Sequence, residues 1–232
     1  MTVTLRGVTT VLLPGTGSDD DFVYRAFSAA LHAHGATVVT PPPQPHRLVA
    51  GYREALDEAA RGGPVAVGGV SIGAAVATAW ALAHPSRAVG VLAALPAWTG
   101  SPQWAPAAAA ARHSAELLRR DGIAAATATM RASSPPWLAD ELSRSWLGQW
   151  PALPDAMDEA AGYVAPTLDE LGRMAVPMGI AGAVDDPVHP IEVAAEWVAA
   201  VPRAALRTLT LDELGADPAA LGAACVAALL EA

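Results

Sequence analysis

Lysine is missing from this chain of 232 residues, and all 14 of its basic residues are arginine. Alongside a high alanine content, that absence reads as coding bias and carries no functional weight. With 23 acidic residues the net charge is −9. Scattered arginines on an acidic chain exclude a nucleic-acid-binding face. Cysteine occurs once, so no internal disulfide is available. Cys225 lies in an apolar C-terminal run, where a buried inert thiol is expected. There is no glycine-rich dinucleotide fingerprint, no H-E-x-x-H and no Cys/His cluster. Neither a metal nor an organic cofactor is therefore expected. Arg6 and the short apolar patch after it lack the long h-region of a signal peptide, so the expected location is cytoplasmic. Charge is also absent from the whole of 62–86. That is long enough to suggest a membrane span. However, Gly68, Gly69, Ser71 and Gly73 stand where a spanning helix would carry leucine, and Pro64 and His84-Pro85 bound the run. A buried parallel strand followed by a packed helix explains the apolarity, and no membrane span is expected.

What is present centres on 65–83. The β-branched run Val65-Ala66-Val67 ends in glycines, and Gly69-Val70-Ser71-Ile72-Gly73 fits G-x-S-x-G. An alanine-rich helical run, Ala74 to Ala83, follows. Strand, sharp turn and helix, with serine at the turn, are the context of a nucleophile elbow. The turn strains Ser71, and the small residues two positions to either side avoid clashes. The Ser71 hydroxyl then projects at the start of a helix, where the Ile72 peptide N–H faces an attacked acyl group.

Hydrophobic residues make up 53% of the chain, enough for one domain with a substantial core. Strands are expected at 8–13, 36–40, 88–95, 177–181 and 205–209 besides the one before Ser71. Helices are expected at about 22–34, 48–60, 191–201 and 218–230. This alternation implies right-handed crossovers and a mostly parallel α/β sheet, with ligands at the carboxyl ends of the strands. Ser71 and Asp186 both fall at such ends. Between Pro96 and Pro177 the alternation gives way to helical spacing. That segment holds five of the seven tryptophans: Trp98, Trp104, Trp137, Trp146 and Trp150. Part of this is packing. The functional expectation is a helical cap over Ser71 that forms a pocket for a small apolar or aromatic molecule, with Trp98, Trp104, Trp137 and Trp146 in its wall.

Together these residues resemble the α/β-hydrolase fold family over nearly the whole chain, the cap being most divergent. The resemblance implies a hydrolase core from 1–96 and 177–232, with a cap at 97–176. Leu12-Leu13-Pro14-Gly15-Thr16-Gly17 stands where the family has a strand and a His-Gly oxyanion loop, with proline in place of the histidine. Gly15 is then the loop glycine at the substrate, and the Thr16 N–H joins that of Ile72 as the second oxyanion donor. The stretch 182–190 is similar to the family's acid loop, in which an Asp is followed four residues later by Pro. That spacing selects Asp186 over Asp185. One of the two has an alternative reading as a turn and helix cap.

The chain departs from the family at the base. The family's histidine follows the last strand, but here 210–217 carries none and no histidine occurs after His189. Serine needs a base, because its hydroxyl is a poor nucleophile at neutral pH. His32 and His34 close the first helix, and His84 lies a helix length from Ser71. His46, in a loop at the catalytic edge, and His113, on a cap helix, stay open as bases. His189 leads, since it lies in the acid loop three residues from Asp186.

Three functions compete. The first is a serine hydrolase of an ester, thioester or similar carbonyl, with a rearranged triad of Ser71, His189 and Asp186. The second is an inactive α/β-hydrolase-fold protein that binds a small apolar ligand or a protein partner. The third is a cofactor-free lyase or cyclase with Asp186 as base. Homo-oligomerisation is left open.

Overall fold

A computed structural model describes residues 3–232. Six strands form one sheet: β1 (Thr9–Leu13), β2 (Thr37–Val39), β3 (Val65–Val70), β4 (Ala88–Ala94), β5 (Met178–Ala183) and β6 (Ala204–Leu209). Their order is β2-β1-β3-β4-β5-β6, and every pair is parallel. All strands therefore end at the same edge. Strands β3, β4 and β5 read as unbroken apolar runs because helices cover both faces.

Side-chain alternation divides the core. Val11, Leu13, Val65, Val67, Val91, Ala93, Met178 and Ile180 face one cluster. It contains residues of α2 (Leu48–Ala59), α3 (Ile72–Ala83) and α8 (Ile191–Ala200). Leu12, Ala66, Leu92, Ala94, Ala181 and Ala183 face the other, with α1 (Asp20–Ala33) and α10 (Ala219–Glu231). The period of two along each strand is what sorts these residues. Asp19 caps α1, its Oδ1 accepting the Phe22 N–H at 2.9 Å.

The segment between β4 and β5 contains helices and no strand. These are α4 (Pro106–Ser133), α5 (Pro136–Gln149), α6 (Leu153–Ala161) and the single turn α7 (Leu168–Leu171). Gly122, at φ 78°, breaks α4 into two arms. One helix was not anticipated. Residues 210–217, read as the loop after the last strand, hold α9 (Leu211–Ala216). It begins at a capping box in which Thr210 Oγ1 accepts the Glu213 N–H and the Glu213 carboxylate accepts the Thr210 N–H. Among the described residues, no helix is long and apolar enough to cross a membrane.

Candidate active site

Ser71 stands between β3 and α3 with φ 55° and ψ −115°. A positive φ is uncommon outside glycine and is strained for a residue with a Cβ. Its N–H continues the sheet ladder to Ala94 O at 2.9 Å. The flanking glycines are required by close approach. A Cβ on Gly69 would lie 2.3 Å from Leu13 O, and one on Gly73 would lie 2.2 Å from the same oxygen. The start of α3 can thus press against the end of β1, which brings the loop after β1 to Ser71. Gly15 there faces Ser71 so closely that an added Cβ would be 3.6 Å from the Ser71 Cβ. The fully buried Tyr52 hydroxyl anchors this loop by donating to Pro14 O at 3.1 Å.

The loop after β5 carries Asp186 and His189. The Asp186 Oδ1 accepts the backbone N–H groups of Val188 at 2.7 Å and His189 at 3.2 Å. Its Oδ2 lies 2.7 Å from His189 Nδ1, and His189 Nε2 lies 3.0 Å from Ser71 Oγ. Burial pushes the Asp186 carboxyl pKa up. The hydrogen bond and charge of His189, with the two backbone donors, outweigh that and hold it below the ordinary value. An ionised Asp186 can only accept hydrogen bonds. The Nδ1 must then carry the imidazole proton, and Nε2 is left as the acceptor for the Ser71 hydroxyl. The neighbouring Asp185 faces away, its Oδ1 accepting the Leu211 N–H at 2.8 Å and tying this loop to α9.

Two backbone donors stand beside Ser71. Ile72 opens α3, where first-turn N–H groups lack intrahelical acceptors. Thr16 follows Gly15. Among the described residues, neither N–H donates to another backbone group. Also among the described residues, no three His, Cys, Asp or Glu side chains are grouped to hold a metal ion.

A cavity of about 430 Å³ opens over Ser71. Gly15, Thr16, Ser71, Asp186 and His189 form its floor, and α4 and α5 its opposite wall. Trp137 and Trp146 line it; Trp98 and Trp104 do not. The expectation for those two is corrected. Trp98 packs into the core and donates to Tyr163 O at 3.1 Å, while Trp104 is 86% exposed. Trp137 and Trp146 are seated on glycines: the Gly215 backbone abuts the Trp137 indole, and that of Gly17 the Trp146 indole. Leu211 and Leu214 of α9 complete the wall, where sequence reasoning looked only for a histidine. Of the other histidines, His113 also lines the cavity, whereas His46 pairs with Asp155 at 3.7 Å and His84 caps α3.

The sequence profile of the serine aminopeptidase S33 family matches residues 43–214. That is about three quarters of the chain and includes Ser71, Asp186 and His189. The chain belongs to this family of α/β-hydrolases. Solved structures share the fold. A carboxylesterase of the thaumarchaeon Nitrososphaera gargenis is 16% identical, with a TM-score of 0.72 over 89% of this chain and 83% of that one. The enol-lactonase of Burkholderia xenovorans LB400 is 19% identical, with a TM-score of 0.66 over 89% and 84%. A thermophilic esterase of Thermogutta terrifontis is 17% identical, with a TM-score of 0.63 over 90% and 82%. Comparison with curated protein sequences finds no match. Family membership makes hydrolysis the general class of activity. In this chain Asp186 and His189 both lie on the loop after β5, and α9, which follows β6, carries Leu211 and Leu214.

Proposed function

We propose that this α/β-hydrolase cleaves carboxylic esters, or closely related carbonyls, of small apolar molecules. Ser71 is the nucleophile, His189 the base and Asp186 the orienting acid. The observation that carries the reading is the unbroken hydrogen-bond chain from Ser71 Oγ through His189 to Asp186 Oδ2. A non-catalytic binding protein has no need of that chain or of a strained serine.

In the first half-reaction Ser71 Oγ attacks the carbonyl carbon as His189 Nε2 takes its proton. The oxyanion is held by the N–H groups of Thr16 and Ile72. Ionised Asp186 stabilises the imidazolium through Nδ1–H. The imidazolium then protonates the departing alkoxide, leaving an acyl ester on Ser71. Water, activated by the same Nε2, releases the acid and restores the serine. The helices of 97–176 act as a cap that keeps bulk water from the apolar substrate. A p-nitrophenyl butyrate assay tests this. Wild-type protein should release nitrophenol catalytically and Ser71→Ala should not. Equal rates for the two proteins would refute the proposal.

A further inference from the structure

The cavity wall carries acidic side chains, and its basic ones are the histidines His113 and His189. Asp19, Glu141 and Asp186 all line it, and no arginine does. Asp186 is committed to His189. Asp19 and Glu141 belong to a cluster that joins the start of α1 to α5 at the rim. Arg25 Nη2 donates to both Glu141 oxygens at 2.8 and 2.7 Å, and its Nε donates to Asp21 at 2.9 Å. Arg144 donates to Glu141 and Asp21, each at 2.6 Å, and lies 3.4 Å from Asp19. Two guanidiniums thus face three carboxylates, leaving one negative charge in excess. The arginines are engaged behind the wall while carboxylates meet the cavity. Both lining side chains are largely withdrawn from water, Glu141 at 24% and Asp19 at 18% exposure. Screening is weaker there than at an open surface.

We infer that Glu141 and Asp19 form a charge filter, so that the site accepts uncharged apolar esters and rejects those whose acyl chain ends in a carboxylate. This rests on the ester-hydrolase reading above and names the substrate class that reading leaves open. A terminal carboxylate entering the cavity meets the cluster's one excess negative charge, and no arginine lines the cavity to receive it. Specificity then comes from repulsion of the wrong substrate as much as from apolar contact with the right one. Replacing Glu141 by an amide brings the cluster to neutrality and frees guanidinium donors from Arg25 and Arg144. The filter then weakens, because the excess negative charge is gone.

The test compares p-nitrophenyl hexanoate with mono-p-nitrophenyl adipate, an acyl chain of equal length ending in a carboxylate. Each rate is normalised to its alkaline hydrolysis. Wild-type kcat/KM should favour hexanoate by about 30-fold or more, as expected for like charges a few ångströms apart in a poorly screened site. In E141Q that ratio should fall at least about fivefold. Asp19→Asn, which keeps a good N-cap for α1, should move it in the same direction should E141Q fold poorly. A wild-type ratio near one, or a ratio unmoved in the folded variants, overturns the filter while leaving the hydrolase intact. Loss of Ser71-dependent turnover of both esters overturns the hydrolase reading and the filter with it.

Discussion

His189 Nδ1 lies 2.7 Å from an oxygen of Asp186, a residue only three positions earlier on the same loop. The pair is a local unit, shaped by one turn in which Asp186 also accepts the backbone N–H groups of Val188 and His189. Its partner Ser71 comes from two strands away, because β4 separates β3 from β5. With the histidine on the loop after β5, α9, which follows β6, supplies Leu211 and Leu214 to the cavity.

Because the three side chains form one hydrogen-bonded series, their losses should not add. Ser71→Ala and His189→Ala are each expected to lower kcat by several orders of magnitude, and the double variant by little more. Steady-state kinetics of the three proteins would check this. A double variant that multiplies the two single losses would show that the residues act separately.

Asp186→Asn should reduce kcat by roughly three to four orders of magnitude, with KM nearly unchanged, because an amide cannot stabilise the imidazolium. The same substitution has a pH signature in stability. Despite its burial, the Asp186 carboxyl is held below the ordinary aspartate value in the folded protein by His189 and the backbone donors. Its ionisation therefore stabilises the fold fully above that value, and the contribution is lost as pH falls through the lowered folded pKa. Urea unfolding at pH 7 and in steps below pH 4 should show wild-type stability declining toward that of Asp186→Asn. A gap that widens on acidification would contradict the assignment.

Gly73→Ala places a methyl group about 2.2 Å from Leu13 O and 2.7 Å from Pro14 O. Backbone must move, so a loss of roughly 1–3 kcal/mol is expected. Activity should fall as well, because the displaced segment carries Gly15 and Thr16. Thermal unfolding and ester turnover measured on the same sample would test the link. Full activity in a destabilised variant would break it.

Tyr52→Phe removes the hydroxyl that donates to Pro14 O. The expected stability cost is about 0.5–1.5 kcal/mol, rising if the carbonyl stays unsatisfied. If the anchor serves the oxyanion loop, kcat should drop more than KM changes. A variant with lower stability and unaltered kcat would assign Tyr52 to packing alone.

The core was legible because its signals are local. Apolar runs ending at glycine or proline marked β1, β3 and β5, and Gly69 and Gly73 framed Ser71. Their alternation with helical runs implied the parallel sheet. The reach from His189 to Ser71 spans 118 positions and depends on strand order, which periodicity does not encode. The tryptophans misled for a similar reason. Their density in 97–176 does not say which helix face each occupies, and Trp104 lies in solvent while Trp137 rests on Gly215. α9 is signalled in the sequence only by the capping box of Thr210 and Glu213, because its 6 residues are too few to show a helical period.

In the proposed mechanism Ser71 is activated by His189, on the loop after β5. Labelling with a fluorophosphonate, followed by intact-protein mass spectrometry, tests it without knowledge of the substrate. Wild-type protein should gain a single adduct, mapped to Ser71. His189→Ala should label at least about a hundredfold more slowly, in line with the loss of a general base. Equal labelling rates in wild-type and His189→Ala protein, or an adduct on another residue, would contradict it.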